Sequence, residues 1–224
     1  YYQHFMQPNE LEYYQKTKNR ISWGQLRKLM INGFADAGSL EYSRATPNGP
    51  YYRTQGAIMD ALGQVFDSAG GPVPVVILAQ SLGCEVISNY IWDANKEDKT
   101  YGFWKKAEEE TPPGARLEFQ KLKTLHVLMT TGCNIPIFIT GLESQERVPI
   151  DKPHPAFIWE NYYDKDDILG YPLADLSHDY EKLVIDHRIA VGNLFTGWNP
   201  FSHTEYWDSK RIQNDLAGHI GRLM

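Results

Sequence analysis

Apolar residues recur along this chain in two patterns, one typical of amphipathic helices and one typical of buried strands. They return every three to four positions over residues 22–38 and again over residues 54–68, which predicts a helix in each segment. Residues 73–79 (VPVVILA) are almost continuously apolar, as in a strand buried on both faces of a parallel sheet. The helical period resumes directly after Ser81, so a strand, a sharp junction and a helix follow one another.

The rest of the chain continues the alternation. Residues 122–129 and 156–164 predict strands, residues 182–185 predict a short strand or helix, and residues 205–220 predict a final helix. Helices that alternate with short apolar strands predict an α/β fold, with a mostly parallel central sheet and helices on both faces. Because no repeat or linker interrupts the pattern, a single domain over residues 1–224 is the simplest organisation.

One polar segment interrupts the apolar pattern. Residues 93–118 are polar and charged, but Tyr101, Phe103 and Trp104 lie within them. Such a segment is either a lid over an apolar substrate or an exposed excursion whose aromatic residues anchor it to the core. The sequence leaves both interpretations open.

Composition narrows the classes of function. The 224 residues carry a net charge of −6 with scattered Lys and Arg, which argues against a nucleic-acid-binding surface. The longest apolar runs are too short to span a bilayer.

Cys84 and Cys133 do not make a disulfide framework, and we interpret them as buried free thiols that could approach one another. Few cysteines and no visible signal peptide favour a cytoplasmic location. The oligomeric state is not indicated.

The junction at Ser81 has a chemical interpretation. A strand that turns at once into a helix around Gly-x-Ser-x-Gly strains the serine backbone and exposes the hydroxyl at the carboxyl end of the sheet. Ala79 and Gly83 occupy the two glycine positions here. The N–H of Leu82 would be an oxyanion donor at the start of the helix. Serine is also common at helix starts for capping alone, so the motif by itself is weak.

A nucleophilic serine needs a basic histidine and an acid that orients it, and in this architecture both follow the serine in the chain. The acidic cluster after the strand at 156–164 offers Asp164, Asp166 and Asp167, although such a cluster is also an ordinary solvated turn. His203 lies between a turn and the final helix, where it could equally be a neighbour of a helix cap. His154, His178 and His187 lack a recognised metal-ligand spacing.

Together these motifs resemble the α/β-hydrolases, in particular the serine esterases and lipases. The similarity covers about residues 54–220. VVILAQSLGCEVISNYI resembles the strand, nucleophile turn and helix of the family, LKTLHVLMTTGCNIPIF the next strand and its loop, NYYDKDDIL the acid loop, and FSHTEYW the histidine loop.

The resemblance implies a Ser81–His203–Asp166 triad, with Asp166 selected because the family acid precedes one residue and then an aliphatic pair. It implies cleavage of a small-molecule carboxylic ester, or else a thioester or amide, without a metal or organic cofactor. The family's oxyanion loop and first strands have no counterpart before Ser22, unless residues 3–7 supply the loop. This departure, together with Ala79 in place of the first glycine, motivates a non-catalytic binding scaffold as the alternative. A nucleotide-binding domain is a third reading, but no dinucleotide or phosphate-loop glycine pattern supports it.

Overall fold

The computed structural model describes residues 11–12, 15–16, 34–96, 103–191 and 200–224. Contacts within the chain divide it into two compact units. The first comprises Tyr1–Gly71 and Lys96–Gln120, and the second comprises Pro72–Asn95 and Lys121–Met224. Because a compact unit need not fold alone, the single domain expected over residues 1–224 stays a prediction.

Helices and strands alternate along the described ranges. The strands are β1 (Val75–Gln80), β2 (Leu125–Thr131), β3 (Ile158–Asp164) and β4 (Val184–Ile189). The α-helices are α1 (Asp36–Tyr42), α2 (Pro50–Ala69), α3 (Leu82–Asn95), α4 (Phe103–Glu110), α5 (Ala115–Gln120), α6 (Ile135–Ile139), α7 (His178–Leu183) and α8 (Lys210–Leu223). Short 3₁₀ segments occupy Ser144–Glu146, Ala174–Leu176 and Pro200–Asp208.

The four strands form one sheet in the second unit. Their order is β1-β2-β3-β4, and each neighbouring pair is parallel. Because every neighbouring pair is parallel, the carboxyl ends of all four strands lie at the same end of the sheet. The α/β class and its parallel sheet are therefore confirmed.

Burial along the strands depends on their place in the sheet. In β2 every residue except His126 is buried, as expected for a strand with a neighbour on each side. β1 is equally apolar, yet it is half-buried except at Ala79. The reason is its place at the edge of the sheet that the described residues form.

Helix α8 and the preceding 3₁₀ segment pack on one face of this sheet. The packing forms a hydrophobic cluster, in which apolar side chains of β2 and β3 are buried against residues of the last part of the chain. Its buried members are Val127, Met129, Tyr162, Val191, Tyr206 and Ile212. This packing fixes the segment in which His203 lies.

The regular elements among the described residues of the first unit are helices. Phe66 of α2 contacts Phe119 of α5 with ring centroids 5.6 Å apart, and a side chain at Gly63 would collide with Arg116. Trp104 of α4 is 2% exposed and donates from Nε1 to Oε1 of Gln55 at 3.3 Å. Trp104 thus anchors α4 inside this unit. A lid role for residues 93–118 stays a prediction, and Tyr101 lies outside the described residues.

The predicted elements match the observed ones with shifts of a few residues. The helix predicted at 54–68 is α2, and the strands predicted at 73–79, 122–129 and 156–164 are β1, β2 and β3. Most of the helix predicted at 22–38 lies outside the described residues. Among the residues that the structure describes, no helix combines the length and apolar character needed to cross a bilayer.

Candidate active site

Ser81 is the single residue between the last residue of β1 and the first residue of α3. Its φ of 54° is left-handed, a conformation that costs a residue with a side chain about 1–3 kcal/mol. Two backbone hydrogen bonds hold it there: the Ser81 N–H donates to Thr131 O at 3.0 Å, and the Cys84 N–H donates to Ser81 O at 2.9 Å. The sharp turn predicted from the sequence is therefore present and strained.

The Ser81 hydroxyl contacts the histidine that the sequence singles out. Nε2 of His203 lies 2.6 Å from Oγ of Ser81, although the two residues are 122 positions apart. The side chain of His203 is 7% exposed, and its residue lies in the 3₁₀ segment Pro200–Asp208. This geometry lets the imidazole accept the hydroxyl proton.

The other nitrogen of His203 contacts Asp167. Nδ1 lies 2.8 Å from Oδ2 of Asp167, whose side chain is fully buried, and Oδ1 of the same carboxylate accepts the Leu169 N–H at 2.9 Å. Burial alone would raise the pKa of Asp167. The hydrogen bond and charge interaction with His203, followed by the Leu169 N–H and the Tyr206 hydroxyl, instead hold that pKa below its usual value. Asp167 is thus a buried anion facing the imidazole.

Asp166, the acid selected by resemblance, does not contact His203. Its side chain is 39% exposed and pairs with Nζ of Lys165 at 3.1 Å. The reason is a turn in which the Asp167 N–H donates to Asp164 O at 3.2 Å, so that Lys165 and Asp166 occupy the corners. The residue brought to His203 is therefore the next one along the chain, Asp167.

Asp164 is the third member of the acidic cluster, and it ties the site's loops together. Its residue is 2% exposed, and its carboxylate accepts the Val191 N–H at 2.6 Å and the Asp166 N–H at 2.9 Å. The first bond joins the end of β3 to the second residue after β4. Asp164 thus fixes the backbone on which the acid loop rests.

Two further residues hold the site, and the sequence did not identify this role for either. The Tyr206 hydroxyl donates to Oδ2 of Asp167 at 2.9 Å. Burial, followed by the nearby Asp167 carboxylate, raises the pKa of Tyr206, so the hydroxyl keeps its proton. Gln80 donates from Nε2 to the backbone oxygen of His203 at 2.6 Å. The position of Gln80 directly before the serine was the available signal.

Two glycines leave the space that the site occupies. A Cβ at Gly132 would lie 2.8 Å from Cε2 of Tyr206 and 3.0 Å from Cε1 of His203. A Cβ at Gly170 would lie 2.5 Å from Oδ2 of Asp167. Gly132 also has a φ of 53°, which favours glycine. The chain therefore approaches these side chains too closely for any larger residue.

The predicted oxyanion donor stands at the start of a helix. Leu82 is the first residue of α3, and the first N–H groups of a helix have no acceptor within it. The positive end of the helix dipole adds to this donor. Residues 3–7, named as a source of the second donor, lie outside the described residues.

The two cysteines are unsuited to nucleophilic attack. Cys84 and Cys133 are both buried as free thiols. Burial, followed by a hydrogen bond with Cys133, raises the pKa of Cys84. Among the described side chains, no group of three or more His, Cys, Asp or Glu is arranged to hold a metal ion.

Comparison with protein-family models, with curated proteins and with solved structures returned no match to this chain.

Proposed function

We propose that this protein is a serine hydrolase that cleaves carboxylic esters, with Ser81 as the nucleophile. The observation that carries the proposal is the continuous hydrogen-bonded chain from Oγ of Ser81 through His203 to the buried carboxylate of Asp167. A hydroxyl is a poor nucleophile at neutral pH, and a histidine oriented by an acid is the arrangement that activates it.

In the acylation half of the reaction, Oγ of Ser81 bonds to the ester carbonyl carbon and its proton passes to Nε2 of His203. The carbonyl electron pair moves to the oxygen and forms a tetrahedral oxyanion. When the oxyanion collapses, the bond to the leaving alcohol breaks. His203 gives its proton to the alcohol oxygen, and an acyl-enzyme on Ser81 remains.

The deacylation half repeats these steps with water. His203 takes a proton from a water molecule, whose oxygen bonds to the acyl carbon. Collapse of the second oxyanion breaks the bond to Oγ of Ser81, which regains its proton from His203, and the carboxylic acid leaves. The N–H of Leu82 is the donor that we assign to the oxyanion in both halves.

Asp167 takes the role of the acid in this proposal. Its carboxylate accepts from Nδ1 of His203 and thereby leaves Nε2 free to act as the base toward Ser81. It also stabilises the imidazolium that each proton transfer creates. A carboxylate with a lowered pKa remains charged at neutral pH, as this role requires.

The order of the three residues supports an α/β-hydrolase-like assignment. Ser81 follows β1, Asp167 lies in the loop after β3, and His203 comes after β4. The carboxyl ends of these strands lie at one end of a parallel sheet. Serine, then acid, then histidine is also the chain order of the α/β-hydrolases. The resemblance in the motifs points the same way.

A fluorophosphonate probe tests the proposal. Oγ of an activated serine bonds to its phosphorus, and fluoride leaves as the hydroxyl proton passes to the histidine. We expect mass spectrometry to locate the adduct on Ser81, and we expect Ser81→Ala and His203→Ala to abolish it. Ser88→Ala is the matched control, since Ser88 is another half-buried serine at the nucleophile helix and should leave labelling intact.

The alternative is a non-catalytic scaffold, and the same experiment separates the two. A folded protein that forms no adduct under conditions that label known serine esterases would overturn the hydrolase proposal. A labelled protein would then be assayed with p-nitrophenyl esters of graded chain length, and with matched thioesters and amides, to define the acyl and leaving groups.

A further inference from the structure

We propose that Tyr206 is a positioning residue that locks the Asp167 carboxylate in the orientation in which it accepts from His203. This inference rests on the proposed serine hydrolase function. Tyr206 would touch no reacting atom and would act through Asp167.

The polarity of the two hydrogen bonds of Tyr206 is fixed by its partners. The backbone N–H of Asp164 lies 3.0 Å from the Tyr206 oxygen, and an N–H can only donate. The oxygen of Tyr206 therefore accepts there. Its single proton points to the other partner, Oδ2 of Asp167 at 2.9 Å. The tyrosine thus bridges the end of β3 and the acid.

This donor completes the environment of the carboxylate. Oδ2 of Asp167 receives both Nδ1–H of His203 and the Tyr206 hydroxyl, while Oδ1 receives the Leu169 N–H. Three donors shared between its two oxygens fix the rotation of a carboxylate that a single donor would leave free to turn. Hydrogen bonds to an ionised group are also stronger than hydrogen bonds between neutral groups.

The ring of Tyr206 is held as firmly as its hydroxyl. The residue is 1% exposed, and its ring stands at 84° to that of His203 with centroids 6.4 Å apart. Both residues belong to one 3₁₀ segment, in which side chains at i and i+3 lie over each other. His203 and Tyr206 are at i and i+3, so the segment delivers the base and the support of its acid together.

The test measures fluorophosphonate inactivation of the whole chain, separated into the maximal rate constant and the concentration for half-saturation. We expect Tyr206→Phe to lower the rate constant about 10- to 100-fold, the range for a lost hydrogen bond to a charged group, with half-saturation unchanged. Tyr162→Phe is the matched control. Its hydroxyl also contacts two carboxylates, Glu160 and Asp215, and it should change the rate less than about twofold.

A double-mutant cycle separates positioning from general structural damage. If Tyr206 acts through Asp167, Tyr206→Phe should not lower the inactivation rate constant further in an Asp167→Asn background. Inactivation is slow in that background, so the reaction is followed over hours. An equal loss in both backgrounds would overturn the inference. So would an unchanged rate constant for Tyr206→Phe in a wild-type protein that labels well. A wild-type protein that never labels would instead refute the hydrolase function.

A second variant covers the case in which phenylalanine does not fold. Incorporation of 4-fluorophenylalanine at position 206 fills the volume of the hydroxyl without supplying a proton. Incorporation of 4-aminophenylalanine keeps both a donor and a lone pair. We expect the fluorinated protein to lose rate as Tyr206→Phe does and the amino protein to recover at least part of it. Equal rates for these two proteins would contradict the positioning role.

Discussion

The amide of Gln80 donates to the backbone oxygen of His203 at 2.6 Å, so the residue before Ser81 holds the 3₁₀ segment that carries His203. This contact joins the end of β1 to a residue more than 120 positions later. It acts on the main chain of His203, while Asp167 acts on the ring. Backbone and ring of the same histidine are therefore fixed separately.

Gln80→Met removes this donor and keeps a side chain of similar length. We expect the labelling rate of Ser81 to fall about 3- to 10-fold, because one neutral hydrogen bond contributes about 0.5–1.5 kcal/mol. Stopped-flow or timed quench labelling would measure it. Gln120→Met is the matched control, since Gln120 also donates to a backbone oxygen, that of Met59, at 3.0 Å. A loss in both variants would show that the effect is not specific to the site.

Gly132→Ala should damage the site and the fold together. The new Cβ would press on Tyr206 and His203 at 2.8 and 3.0 Å, and the φ of 53° disfavours alanine. We expect the free energy of unfolding to fall by about 1–3 kcal/mol and labelling of Ser81 to fall at least 10-fold. Urea unfolding measures the first quantity. Gly221→Ala, at a helical glycine with nothing within 4 Å of the new Cβ, should leave both unchanged or raise stability slightly.

The strands and the serine turn could be predicted because short-range patterns determine them. An apolar run of strand length that ends at a small-x-Ser-x-Gly junction is compatible with few other structures, and β1 followed by Ser81 is the result. Residues 182–185 are too few to show either a helical or a strand period, so the sequence left both structures open for them. The structure shows why, since these residues straddle the end of α7 and the start of β4.

The choice among three aspartates could not be made from the sequence. Asp164, Asp166 and Asp167 are chemically identical, and a turn closed by one backbone hydrogen bond decides which of the three side chains reaches His203. The role of Tyr206 depends on a 3₁₀ segment over Pro200–Asp208, where the sequence predicted an α-helix from residue 205. The contacts that Asp167 makes with His203 and Tyr206 join segments distant in the chain, and local patterns do not encode such contacts.

Cys84 and Cys133 should resist thiol reagents in the native protein. Both are buried, and the raised pKa of Cys84 keeps its thiol protonated. We expect a chromogenic disulfide reagent to modify neither thiol at neutral pH until denaturant is added, when two thiols per chain should react. Rapid modification of the native protein would contradict this burial. Cys84→Ala should still form the fluorophosphonate adduct on Ser81, which shows that the Ser81 hydroxyl and not the neighbouring thiol is the labelled group.

Glu160 should make the free energy of unfolding depend on pH in the acidic range. Burial acts to raise the pKa of Glu160, but hydrogen bonds from His219 and Tyr162 lower it below its usual 4.5. A carboxyl with a lower pKa in the folded state stabilises the protein above the unfolded value, and that stability is lost as pH falls through the folded value. We expect the unfolding free energy to decline below about pH 4.5, and less steeply in Glu160→Gln. Glu110→Gln, at an exposed site, should keep the full decline in urea titrations.

Asp167→Asn and Asp166→Asn give the sharpest test of which aspartate serves His203. Asparagine at position 167 keeps the shape but presents no charge to Nδ1, so we expect ester turnover or Ser81 labelling to fall about 10³- to 10⁴-fold, as for the acid of a serine triad. Asn at position 166 removes an exposed pair with Lys165 and should change the rate less than twofold. Steady-state kinetics of both purified variants would decide it. A large loss at 166 with little at 167 would reverse the assignment, because the two substitutions are chemically the same and differ only in their surroundings: Asp167 is buried against His203 and Asp166 is partly exposed beside Lys165.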